Sequence, residues 1–163
     1  MGAFADSHLG RLRTLVGGRL LLVPGARIVI EDPGSGRILL QRRGDFGVWG
    51  LPGGNAEEGE GLEAVVVRET LEETGLVVSD VRPFGFACDP AHETIAFPNG
   101  DRCQFFVLMF WTRTFSGSPL ADGDESRALG WFPPGALPEM LPNMARSVEA
   151  WRRFVACGAF QMI

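Results

Sequence analysis

Residues 53–76 read GGNAEEGEGLEAVVVRETLEETGL. The first part is rich in glycine, which lets a backbone approach a ligand or another chain segment closely. From Leu62 to Thr74 the composition and spacing become helical, and Gly75 suits a C-terminal cap. At 100° per residue, Glu69, Glu72 and Glu73 fall within about 100° of arc on one helical face. Ala64, Val67 and Leu71 fall on the opposite face and are expected to pack into a core. Three like charges at three- and four-residue spacing weaken an isolated helix by a few tenths of a kcal/mol per pair. A solvated acidic face is the plain explanation of such a cluster. A rigid set of oxygen ligands beside a glycine-rich loop is the functional one, and it suits Mg²⁺, with Mn²⁺ as an alternative.

The surrounding chain reads as strands and turns. Ala26 to Glu31 is expected to be a strand, Asp32-Pro-Gly-Ser-Gly36 a turn, and Arg37 to Arg42 the returning strand of a hairpin. Leu76 to Val81 and Phe84 to Ala87 read as short strands. Asn99-Gly100 signals a hairpin turn before Arg102 to Arg113, a nearly apolar strand expected to be buried on both faces. A polar loop at 116–127 precedes a strand near Leu129 to Phe132. Leu141, Met144, Val148, Trp151 and Val155 recur at helical steps and predict a closing helix over about 141–157. Residues 7–16 suit a short amphipathic helix. The expected architecture is α/β, a mixed sheet covered by helices, in a single domain spanning 1–163.

Composition narrows the function. The chain has 163 residues, 45% hydrophobic and 21% charged, within the ordinary range for a globular protein. Net charge is −5, so no global basic field attracts nucleic acid, and no DNA partner is expected. All 15 basic residues are Arg, and Lys and Tyr are absent, which excludes Lys Schiff-base and Tyr nucleophile chemistry. Three widely spaced Cys suggest a reducing compartment without a disulfide framework. Two His cannot build a His-rich zinc site. The opening residues lack an apolar signal core, and Asp6 replaces the Ser or Thr that a Met-Gly myristoylation signal wants. The longest apolar run, Phe105 to Trp111, is too short to cross a membrane. The cytoplasm is the default location.

The acidic helix and its loop resemble the Nudix (MutT-like) signature: Gly, five residues, Glu, seven residues, then Arg-Glu-apolar-any-Glu-Glu-any-Gly-apolar. The chain has Gly54, Glu60 and Arg68-Glu69-Thr70-Leu71-Glu72-Glu73-Thr74-Gly75-Leu76 at that spacing. At ~6% usage per residue, a chance match of the seven fixed positions is below about one in a million, which counts against the plain acidic face. Thr70 departs from the pattern, where an apolar residue is usual. Trp49-x-x-Pro52-Gly53-Gly54 and the strand order extend the likeness over about 25–135.

The resemblance implies the Nudix fold, a mixed β-sheet sandwiched between α-helices with a catalytic loop-helix-loop. It also implies metal-dependent hydrolysis of a nucleoside diphosphate linked to another moiety. Glu69, Glu72 and Glu73 would hold Mg²⁺ together with the main-chain carbonyl of Gly53. Glu60 would act through water or as an outer ligand, and Arg68 would orient a carboxylate. The general base is either a helix Glu or Glu125, before the Trp131-Phe132 strand. Phe46 and Trp49 are candidates for stacking on a base, and Arg42, with Arg43, for meeting phosphate. His92 and Glu93 are expected at the surface, and Cys88 has no assigned role. The partner is a small nucleotide, and homodimers are common in the family. The alternative is a Nudix-fold sensor that binds a nucleotide without cleaving it.

Overall fold

A computed structural model describes residues 4–163; the Met-Gly start lies outside the described residues. A ten-residue strand, β1 (Leu21–Ile30), runs parallel to β8 (Arg102–Thr112) from Leu21↔Cys103 to Ile30↔Thr112. These two form the middle of the main sheet. β4 (Gly53–Asn55) pairs with the other edge of β1, and β6 (Arg82–Ala87) with the other edge of β8. The order is completed by β11 (Gln161–Met162) beside β6, with β7 (Thr94–Ala96) also on β8 across the Asn99-Gly100 turn. A second sheet holds β2 (Ile38–Arg43), β3 (Trp49–Gly50) and β10 (Ser126–Phe132); a third pairs β5 (Val77–Ser79) with β9 (Thr114–Ser116).

Period-two alternation sorts the strand side chains into two cores. Ala26, Ile28 and Ile30 of β1, Leu39 of β2 and Phe110 of β8 join Val65 and Val66 of α2 (Leu62–Thr74). Val29, Ile38, Leu40 and Met109 face the other way, against Val148, Ala150 and Trp151 of α4 (Pro142–Cys157). The mixed sheet is therefore sandwiched between helices, as expected. α1 (His8–Val16), capped where Ser7 accepts from the Gly10 N–H, adds Leu9 to a small cluster with Val23 and Cys103. α3 (Pro90–Glu93) is a single turn whose Asp89 cap accepts from Ala91. All three Cys thiols are free.

Several expectations are corrected. β1 and β2 form no paired hairpin: beyond the Asp32–Gly36 turn they share only a Glu31↔Ile38 bridge. Both edges of β1 are already taken by β8 and β4, so β2 pairs instead with β10 and β3. β8 is buried on both faces only toward its second half, where Met109 and Phe110 enter opposite cores. On α4, Val148 and Trp151 are buried as expected, but Val155 is exposed.

The wheel of α2 is also rotated from its expected setting. Ala64 and Leu71 are exposed, and the buried face is Val65, Val66, Thr70, Glu73 and Thr74. Thr70, the departure from the signature, is therefore a core residue, and its hydroxyl has no hydrogen-bond partner among the described residues.

Ile28, fully buried at the junction of β1 and α2, tests this layering. Ile28→Ala is expected to cost about 2–5 kcal/mol of unfolding free energy in urea titration; a cost under about 1 kcal/mol would contradict its place in the core.

Candidate active site

The loop between β2 and α2 is built so that backbone and helix nearly touch. Gly53 has φ +148°, and a Cβ there would stand 2.3 Å from the Ala26 carbonyl and 2.6 Å from Arg27 Cα. A Cβ on Gly54 would stand 2.2 Å from Glu69 Oε1. At Gly53 a side chain would collide with the backbone of β1, and at Gly54 it would displace the Glu69 carboxylate, so glycine is what lets β4 lie close to both β1 and α2. The Gly53 N–H then donates to Glu73 Oε2 at 2.8 Å. Gln41, buried near the end of β2, donates from Nε2 to the Leu51 carbonyl at 3.5 Å.

Glu73 is 3% exposed. Burial pushes its pKa up to about 8, against the pull of Gln41, the Gly53 N–H and Arg43. Glu69 is also raised, by burial first, although Arg68 pulls it down. The second sheet supplies a third carboxylate. Asp122 Oδ1 accepts from the Asp124 and Ser126 N–H groups, and the Gly44 N–H donates to the Glu125 carbonyl. This stitches the loop before β10 to the end of β2. Carboxylate oxygens of Glu69, Glu73 and Glu125 consequently lie within 4.8 Å of one another. Glu125 is exposed as a residue, yet its crowded carboxyl is pushed up in pKa, first by burial and then by Asp122. Glu72 is exposed and stands outside this trio, with an oxygen 3.7 Å from Arg68.

Arg68 ties the helix to the loop. Its guanidinium donates to both oxygens of Glu60 (2.8 and 2.9 Å), to Glu69 (2.8 Å) and to the Asn55 carbonyl (3.2 Å). The hydrogen bond from Arg68 holds the Glu60 carboxyl below its usual range. Glu60 also accepts from the Glu57 N–H.

Next to the trio, across Gly53 and Gly54, opens a largely apolar cavity. Its walls include Phe46, Phe97, Phe105, Arg43 and Asn143. The Phe46 and Phe97 rings lie 5.5 Å apart.

Residues 21–152 match the NUDIX domain family. The chain belongs to the Nudix family. A Bacillus subtilis relative, provisionally named 8-oxo-dGTP diphosphatase, is 33% identical over 129 residues, covering 78% of each chain. An ADP-ribose pyrophosphatase of Methanocaldococcus jannaschii is 27% identical, over 83% of this chain and 78% of its own. Among solved structures, a MutT NUDIX hydrolase of Burkholderia pseudomallei superposes with TM-score 0.65 at 29% identity, over 79% of this chain and 97% of that one. This protein is thus a Nudix hydrolase, of the class that hydrolyses nucleotide-linked diphosphates.

Nudix hydrolases generally depend on a divalent metal, and the donor set here fits one. Three carboxylates converge, one of them buried with no positive charge bonded to it among the described residues, and all donors are hard oxygens. The other Nudix site residues expected from sequence divide. Phe46 lines the cavity. Trp49 does not; it packs edge-on against Phe132, 4.7 Å away, in the core beneath α4. Arg42 and Arg43 point apart because they are neighbours on a strand. Arg43 reaches the cavity, while Arg42 is exposed and donates to the Gly47 carbonyl.

Glu93 is 2% exposed rather than a surface residue, and pairs with Arg27 at 2.6 Å. Asn143 and Arg27, which also line the cavity, went unnoticed in the sequence. The one available signal was a charged residue inside the apolar run ARIVI.

Two outcomes follow from this geometry. Gly54→Ala is expected to push Glu69 aside and lower metal affinity about tenfold or more by titration calorimetry. Unchanged affinity would show that the close approach is unnecessary. In metal-free protein, the raised folded pKa of Glu73 means that the native state holds this proton more tightly than the unfolded chain. Its contribution is most favourable below about pH 4.5 and is lost as pH rises to about 8. Relative to Glu73→Gln, chelated wild type should lose on the order of a few kcal/mol of stability across that window. A divalent cation should restore more at pH 8 than at pH 5.5. A pH-independent difference between the two proteins would refute the burial argument.

Proposed function

We propose that this Nudix hydrolase uses Mg²⁺ to hydrolyse a phosphoanhydride bond of a cytoplasmic nucleoside triphosphate or nucleotide conjugate. The observation that carries this reading is the convergence of Glu69, Glu73 and Glu125 beside an apolar cavity. We assign Glu69, Glu73 and the Gly53 carbonyl as ligands, with Glu125 closing the site from the second sheet and Glu72 at its rim. Bound Mg²⁺ would neutralise phosphate charge and acidify water at the site.

The chain's own residues supply the rest. Arg68 fixes Glu69 and Glu60 in one orientation, so the carboxylate array need not reorganise when substrate arrives. Arg43, at the cavity wall, donates through Nε and Nη2 to Asp45, and we assign its remaining nitrogen to a phosphate oxygen. Phe46 offers an apolar face to the base. Glu125 stands on the loop side, open to solvent, and is the group assigned to take the proton from the attacking water and pass it on. The name of the B. subtilis relative, an 8-oxo-dGTP diphosphatase, supports a nucleoside triphosphate, cut with release of diphosphate.

Release of diphosphate or of a phosphomonoester across a nucleotide panel, read as phosphate after added pyrophosphatase or phosphatase, with and without Mg²⁺, tests the proposal. Glu73→Gln is expected to lower kcat by ~10²-fold or more, and Glu125→Gln by at least about tenfold, both folded by circular dichroism. Near wild-type turnover in Glu73→Gln would refute its role. Nucleotide binding without turnover for every substrate would make this a sensor instead.

A further inference from the structure

The short helix α1 precedes residues 21–152, the part that matches the Nudix family, yet it touches the loop that leads into the acidic helix. Its first backbone N–H, that of His8, donates to both carboxylate oxygens of Glu57, at 2.9 and 3.1 Å. The first N–H groups of a helix lack partners within it, and the helix dipole favours a negative charge at that end. Glu57 supplies the acceptor and the charge together. Two further contacts run to Glu58, from His8 Nδ1 at 3.0 Å and from Arg11 at 3.8 Å. The Glu58 side chain is 72% exposed, so solvent screens both. Glu57 is the point of grip.

From Glu57 the grip passes toward the carboxylates. The Glu57 N–H donates to Glu60 Oε2 at 3.2 Å, and the Glu57 carbonyl accepts from the Glu60 N–H at 3.1 Å. Glu60 holds Arg68 by two bonds, and Arg68 holds Glu69 Oε1 at 2.8 Å. A chain of hydrogen bonds therefore runs from α1 to one carboxylate of the trio. The body of α1 is anchored elsewhere. Leu9 is buried with Val23 and Cys103. Arg13, with its side chain 9% exposed, donates to the Arg102 carbonyl at 2.6 Å, the Cys103 thiol at 3.1 Å and the Arg19 carbonyl at 2.6 Å. α1 is thus pinned to the start of β8 while its first turn holds the loop.

We propose that α1 is a strap, which through the His8 N–H and Glu57 fixes the loop that orients Glu69 for its cation. The inference rests on the metal site proposed above. His8 and Glu57 are positioning residues and touch no reacting atom. With the loop held, Arg68 meets Glu60 and Glu69 before a cation arrives. With it released, Glu60 and Arg68 move together and Glu69 loses its fixed orientation.

The decisive variant removes one hydrogen-bond donor without removing the helix. His8 is the first helical residue, where proline is tolerated because that N–H has no helical partner. Ser7 before it has ψ 158°, the extended backbone that a residue preceding proline adopts. His8→Pro deletes both the N–H and the imidazole; His8→Ala deletes the imidazole alone. Mg²⁺ affinity is read by titration calorimetry without nucleotide, and hydrogen exchange at the Glu57 and Glu60 amides. Relative to His8→Ala, His8→Pro is expected to weaken Mg²⁺ binding about fivefold or more. Exchange at both loop amides should quicken about tenfold or more. The Gly17 amide, bonded to the Arg13 carbonyl at the far end of α1, should keep its rate. Glu57→Ala, which leaves every N–H of α1 in place, should reproduce both losses. The double variant His8→Pro/Glu57→Ala should lose no more than either single variant, because both break one contact. A helix that only adds stability would lower the urea midpoint in His8→Pro and leave Mg²⁺ affinity and loop exchange as in His8→Ala. That result would overturn the proposal, as would additive losses in the double variant. If wild type binds no divalent cation, the metal reading fails. The strap is then judged on exchange alone, where equal loop rates in His8→Pro and His8→Ala overturn it separately.

Discussion

The contact between the Gly53 N–H and the buried carboxylate of Glu73 sets the terms for the rest of the molecule. Burial alone would keep Glu73 protonated, yet a metal ligand has to be ionised. The protein surrounds it with weak compensation: one backbone N–H, the Gln41 amide and the more distant charge of Arg43. None neutralises it fully. A divalent cation could, which is the physical basis of the ligand role proposed for this carboxylate. The glycine pair is the steric condition for all of this, because a methyl group at Gly53 or Gly54 would collide with β1 or with Glu69.

The carboxylates come from two different supports. Glu69 and Glu73 ride on α2, anchored by Val65 and Val66 in the core. Glu125 arrives on the loop before β10, stitched to the end of β2 through Gly44. Arg68 then fastens α2 to the Asn55–Glu60 loop through a bidentate bond to Glu60. A guanidinium fork suits this work because it meets several acceptors in one plane, where a Lys ammonium would meet them as a point charge. Like charges are held close by scaffold rigidity, and the cavity beside them is shaped by residues that the signature does not mention.

Much of the fold and part of the site were legible in advance. Periodicity placed α2 and α4 within a residue of their observed spans, and the Asn99-Gly100 turn led into β8 as read. What failed was orientation. The wheel of α2 assumes that charge faces water, so it put Leu71 inside and Glu73 outside, when Leu71 is exposed and Glu73 is buried. The same assumption put Glu93 at the surface, although Arg27 draws it inside. Trp49 looked like a stacking platform because of its place beside the glycine loop, but Phe132, far away in sequence, claims its ring.

Membership of the Nudix family, the acidic helix and the need for a hard cation were determined by the sequence itself, because a fixed spacing of Gly, Glu and Arg carries both the local conformation and the ligand chemistry. Which carboxylates converge, which of two adjacent arginines faces the cavity, and the buried Arg27–Glu93–Asn143 group were decided by tertiary structure alone. Those are relations between strands and helices distant along the chain. No local period encodes them, and they exist only once the sheets and helices have packed.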